Sequence, residues 1–120
     1  MRWVTVEAAK RARGLRIVLS GGGWALWGEC AKNVMHIKGL GYVKVPQQSA
    51  QDNAELVAWT GVRNQPQVVY DDDPARTGWL EILNLAERLA PQPALLPPDP
   101  AQRALVVGRS NELLGEWGLG

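Results

Sequence analysis

Cysteine and histidine are nearly missing from this 120-residue chain, each occurring once, as Cys30 and His36. One cysteine cannot close an internal disulfide, and one of each cannot supply the ligands of a Cys/His zinc centre. No bound metal is expected. The only Cys–His pairing open to nucleophilic catalysis is Cys30 with His36. A charge surplus is missing too: 13 Lys and Arg face 12 Asp and Glu, for a formal net charge of +1. That balance gives no electrostatic footprint for nucleic acid or an anionic membrane, and neither is expected as a partner. No apolar run approaches the ~18 residues of a membrane span, and the charged opening MRWVTVEAAKRARG lacks a signal-peptide pattern.

What is present is globular: 46% hydrophobic and 21% charged residues, far from the composition of disorder. A chain this long can bury roughly two-thirds of its unfolded surface, enough for one core. The expectation is a single-domain, cytoplasmic protein.

Thr5 suits the N-cap of a short first helix, with Glu7 and Lys10 matching its dipole and Gly14 at C′. Lys10, Arg11, Arg13 and Arg16 read as a solvated basic face. The apolar run LRIVLS (15–20), bounded by glycine, predicts a buried strand. After the loop GGGWALWG, the spacing of Cys30, Ala31, Val34, Met35 and Ile37 predicts a helix over 29–38, ended by Gly39. Tyr42–Val45 alternates as a strand that Pro46 should stop. Strand, helix and strand within about 30 residues are the footprint of a right-handed βαβ unit.

Asp52 and Glu55, at capping-box spacing, open a further helix through Leu56, Val57 and Trp59 that ends at Gly61. QVVY (67–70) is a strand, DDDP a tight turn, and Ala75–Thr77 a short antiparallel partner. Trp79, Ile82, Leu83, Ala86 and Leu89 form one helical stripe closed by Pro91. PQPALLPPDP is a proline-rich linker, after which Asp99 and Pro100 start another helix. The order β-α-β, α, β-β-α, linker, α gives a mixed sheet with helices on both faces.

The segments KGLGYVKV (38–45), NQPQVVYDDDP (64–74) and WLEILNLAERLAPQPALLPPDPAQRA (79–104) resemble the N-terminal domain of the glutathione transferase superfamily. The family reads K-G-I-P-Y, then V-P-x-L before a turn, then A-I-x-x-Y-L-A-E-R, then L-L-P-x-D-P-x-x-R-A. The resemblance covers about residues 15–104, and its most specific piece is LAERLAPQPALLPPDPAQRA. It implies a thioredoxin-like α/β fold, with a four-stranded sheet in the order 2-1-3-4. Residues 1–14 would form an N-terminal extension, 15–90 the thioredoxin-like domain and 91–98 the linker. Residues 99–120 would be the first helix of a truncated all-helical second domain.

The resemblance also implies glutathione as co-substrate, a small electrophile as second substrate, and a homodimer. Pro66 takes the place of the family's cis-proline, where Gln65 would offer its backbone to the cysteinyl part of the peptide. Thr77 and Gly78 take the place of the γ-glutamyl carboxylate seat at a helix N-terminus. The carboxylate that would pair the ligand's ammonium is lacking there, unless Asp72 or Asp73 moves in. Asp71-Asp72-Asp73 otherwise reads as a turn rather than a metal site.

The family's activating residue would fall across Trp24-Ala25-Leu26-Trp27, which holds no hydroxyl or thiol. Ser20 and Cys30 are the nearby candidates for assisting the thiolate. Cys30 lies on the apolar stripe, which favours the core, and His36 reads as a surface or packed residue pointing elsewhere. Trp24 and Trp27 either line an acceptor pocket or cap the core. Dinucleotide and P-loop readings of GGGWALWGEC fail, because Leu26 and Glu29 stand where glycine and lysine are needed. The two functions left are a glutathione transferase-like protein and a non-catalytic binding or assembly module on the same fold.

Overall fold

Leu15–Ser20 (β1) is the strand on which both cores are built. Its odd residues Leu15, Ile17 and Leu19 join Met35, Val68, Ile82, Leu85 and Ala86 in one apolar cluster. Val18 joins Ala9, Val45 and Leu56 in a second cluster on the opposite face. A strand buried on both faces needs an unbroken apolar run, which LRIVLS supplies. Each such side chain removed from water contributes roughly 1.5–3 kcal/mol.

This computed structural model describes residues 2–21, 26–48, 51–95, 99–102 and 104–105. In chain order the remaining elements are Val6–Arg11 (α1), Leu26–Lys38 (α2), Val43–Gln47 (β2), Ala54–Thr60 (α3), Gln67–Tyr70 (β3) and Trp79–Leu89 (α4). β2 runs parallel to β1 and β3 antiparallel to it, in the order β2-β1-β3. One cluster places α2 and α4 over one face; the other places α1 and α3 over the reverse face.

The expected fourth strand is reduced to one rung. Val68 and Arg76 exchange both backbone hydrogen bonds, at 2.9 and 2.8 Å, but the pairing stops there. Continuing this register would oppose Pro66 to Gly78 on one side and Tyr70 to Pro74 on the other. Each pair contains a proline and so lacks a donor, which cuts the ladder at both ends. At the other edge, Trp3 makes a single parallel bridge to Lys44. The sheet is therefore three-stranded with one rung added on each side.

Several boundaries depart from the sequence expectation. Pro46 does not stop β2, which continues to Gln47. Lys44 N–H donates outward to Arg2 O, so the nitrogen of Pro46, two residues on, also faces the outer edge and costs no β1 bond. The helix after Asp52 is capped at Asn53 instead, and Asp52 forms no capping box. Asn53 adopts φ 53° and uses its amide oxygen to accept from Gln48 N–H at 2.8 Å. Gly61, at φ 85°, ends α3 as expected. Thr5 caps α1, its hydroxyl accepting from Ala8 N–H. That helix closes at Ala12, before Gly14. Asp99 likewise accepts from Gln102 N–H at 3.0 Å.

Arg16 is the largest correction. It is not part of a solvated face but 2% exposed, on the same side of β1 as Val18. Its guanidinium donates to Ala9 O at 2.8 Å, to Ala12 O at 2.6 Å and to Asp71 O. It also lies 5.5 Å from the ring centroid of Trp59. Burial pulls its pKa below the ordinary value, with Asp71 opposing that shift. Lys10, Arg11 and Arg13 do face solvent or lie at its edge.

Candidate functional site

The sheet register brings two of the expected site residues, Ser20 and Gln65, to the C-terminal end of β1. Val18 pairs with Gln67 across the antiparallel β1–β3 ladder, so the next positions bring Ser20 beside Gln65. The end of β1 and the Gln65–Pro66 step, distant in sequence, thus lie side by side, and the single Val68–Arg76 rung leads on toward the entry to α4. The Gln65–Pro66 peptide bond is cis.

A small cleft of about 40 Å³ opens here, lined by Trp3, Leu19, Ser20, Gly28, Glu29, Lys32 and Gln65. Glu29 and Lys32 form an ion pair of 2.7 Å, each side chain less than a third exposed. The side-chain oxygen of Gln65 is buried and accepts no hydrogen bond. Gly28 makes room for it, since a β-carbon at this position would stand 2.8 Å from Gln65 Oε1 and 3.0 Å from Leu19 Cδ2. Glycine is what lets the first turns of α2 lie this close to the sheet. No signal in the sequence marked Gly28, Glu29 or Lys32, because only the fold sets them over Ser20 and Gln65.

The other expected residues sit as follows. Thr77 is exposed, and Gly78 is the N-cap of α4, with φ −80° and ψ 145°. A β-carbon on Gly78 would meet the Glu81 carboxylate at 3.5 Å, so that acid lies over the helix entrance. Trp24 falls outside the described residues, whereas Trp27 is half-buried.

Cys30 is exposed rather than in the core. The helix begins at Leu26, three residues earlier than its spacing predicts, and its buried side runs through Ala31, Met35 and Lys38. Cys30 therefore lies in the second turn and does not line the cleft. His36 is exposed as well.

Asp72 and Asp73 do not approach Gly78. They follow the far end of β3, where Asp71 N–H donates to Gly14 O, about 17 Å from Ser20 along the strand direction. Asp72 pairs with Arg13 at 2.8 Å, and Asp73 with Arg76 at 3.1 Å. The hydrogen bond from Arg13 holds the Asp72 carboxyl below the usual carboxylate range. Among the described residues no three His, Cys, Asp or Glu side chains converge as a metal site.

No protein-family model matches the chain, and no curated protein matches it either. Solved structures do. A glutathione transferase homologue from Burkholderia gl BGR1 with bound glutathione superposes with a TM-score of 0.70, at 17% identity, over 88% of this chain and 59% of that one. A homologue from Sulfitobacter, also with bound glutathione, gives 0.72 at 20% identity, over 85% and 49%. The Tau class glutathione transferase of mango, Mangifera indica, gives 0.69 at 17% identity, over 87% and 47%. The chain spans about half the length of these proteins. Its fold is therefore the one these glutathione transferases share with it, a mixed α/β fold of the thioredoxin-like kind that the resemblance implied.

Proposed function

We propose that the protein binds glutathione through the end of β1, the Gln65–Pro66 step and the entry to α4. The observation that carries this reading is the convergence of Ser20, Gln65 and Gly28 on one cleft. It occurs in a fold whose neighbours include two proteins with bound glutathione. Backbone groups of Gln65 would pair with the cysteinyl part of the peptide, and Thr77 with Gly78 would receive the γ-glutamyl carboxylate. Ser20 is the hydroxyl available to the sulfur. Conjugation to a small electrophile is the activity this arrangement would serve, in the cytoplasm.

A binding or assembly module is the second reading. The exposure of Cys30 away from the cleft favours it, because the thiol then takes no part in the site. Calorimetry with reduced glutathione, beside a conjugation assay, separates the two. Millimolar or tighter binding with turnover is the expected result for the transferase. Binding without turnover identifies the module, and no binding at millimolar ligand removes both glutathione readings.

We read residues 99–120 as the start of a helical second domain, and from this follows association. Leu105 is 54% exposed; Val107, Leu113, Leu114 and Trp117 lie outside the described residues. Apolar groups on such a helix need a partner surface, and a second copy of the chain supplies one. Light scattering should give a mass that rises with concentration. A constant 13.1 kDa rules self-association out.

A further inference from the structure

The three backbone carbonyls that precede Gln65 are held from the sheet by side-chain amides. Gln67, the first residue of β3, donates through Nε2 to Val62 O at 3.0 Å and to Asn64 O at 2.7 Å. Gln47, the last residue of β2, donates through Nε2 to Arg63 O at 2.9 Å. The two flank the end of β1, since Gln67 pairs with Val18 and Gln47 with Ser20. Among the described residues, no backbone–backbone hydrogen bond outside the helices and strands reaches residues 62–66. The approach to the Gln65–Pro66 step therefore takes its place from these amides.

Two observations separate this clamp from ordinary stabilisation. Residues 61–64 are exposed, so water can serve their carbonyls and an amide in its place adds little stability. Both glutamines also leave Oε1 buried with no hydrogen bond, which is unfavourable. What the amides fix is position. Gln67 is fully buried and cannot follow the loop out into solvent.

We infer that Gln67, assisted by Gln47, is a positioning residue for the ligand: it sets the course of residues 62–64 and with it the backbone edge that Gln65 presents. This deepens the glutathione reading and rests on it. A backbone edge pairs with an extended peptide only when its N–H and C=O point the right way. A loop that visits this arrangement part of the time weakens binding in proportion. A neutral amide suits the task, because one nitrogen serves two carbonyls and brings no charge beside a ligand that carries carboxylates. Glutamate has the same shape but no N–H, and would set a carboxylate against those carbonyls.

Calorimetry with reduced glutathione, beside backbone ¹⁵N relaxation, tests the assignment on Gln67→Met and Gln67→Glu. Both variants should bind about tenfold more weakly at neutral pH, as when the competent loop falls to about a tenth of the population. In both, the order parameters of residues 62–65 should drop from about 0.85 to below about 0.6 while β1 and β3 stay rigid. Saturating glutathione should restore order to the loop, a signature that a merely structural role lacks. Gln47→Met, which frees one carbonyl at a half-buried position, should show a smaller effect in the same direction, and it serves as the test if the Gln67 variants do not fold. Parent-like affinity in Gln67→Glu overturns the proposal, because shape would then suffice without the donors. So does a loop that stays ordered in Gln67→Met, or a disordered loop with unchanged affinity. If the parent chain itself binds no glutathione, that reading falls, and relaxation alone decides whether the clamp sets the loop.

Discussion

Replacing Lys38 with methionine should lower the stability of the chain by about 3–5 kcal/mol, the cost of breaking a buried ion pair by removing one of its members. The Lys38 side chain is fully buried and its ammonium lies 3.1 Å from the Glu87 carboxylate. The ammonium also donates to Pro93 O at 2.6 Å, while Glu87 accepts from Leu95 N–H. One pair thereby ties the end of α2 to α4 and fastens the first residues of the proline-rich segment to both. Removing the cation takes the Lys38 charge away from the Glu87 carboxylate, 15% exposed, and leaves Pro93 O without the Lys38 donor. Urea unfolding measures the loss as a lower midpoint. The double variant Lys38→Met/Glu87→Leu should recover much of it, because an apolar pair of similar volume carries no desolvation cost. A single variant as stable as the parent would falsify the assignment. A double variant no better than the single would place the loss in packing or in the Pro93 contact instead.

Arg16→Leu is expected to cost about 2–4 kcal/mol, from the loss of charge-assisted hydrogen bonds of roughly 1.5–3 kcal/mol each, partly replaced by water. Three carbonyls, on Ala9, Ala12 and Asp71, receive this guanidinium. They belong to α1, the connection into β1 and the turn after β3. Arg16→Lys should fail to restore stability. An ammonium is a compact charge that cannot fork to three acceptors and also lie against Trp59. Hydrogen exchange gives a second readout: protection should fall first in α1. If Arg16→Lys matches the parent, the fork is not what stabilises this corner.

Much of the molecule was legible because local chemistry agreed with the fold. LRIVLS announced a two-sided strand, Thr5 and Asp99 announced caps, and Gly61 and Pro91 marked helix ends, since each acts through groups a few residues away. The motif-bearing stretches pointed to the domain type, and Ser20 and Gln65 do line one cleft. The failures share one cause. Arg16 and Lys38 carry charges that composition assigns to the surface, and nothing local reveals the carbonyls and carboxylate that bury them. Cys30 was placed on the buried stripe because the stripe was read too wide. The inward line runs through Ala31, Met35 and Lys38, and Cys30 stands roughly 100° round the helix from Ala31, out of it. The fourth strand failed on Pro66 and Pro74, whose effect depends on a register that the sequence does not state.

The amino-acid sequence by itself determined where strands and helices lie and which domain type they build, through apolar periodicity, caps and breakers acting over a few residues. Tertiary structure alone decided that Gln65 Oε1 would be buried without a partner, that Gly28 would leave room for it, and that the Asp71–Asp73 turn would sit at the far end of the sheet. These are properties of register and packing, in which a single atom's environment is set by segments that approach only after the chain has closed on itself.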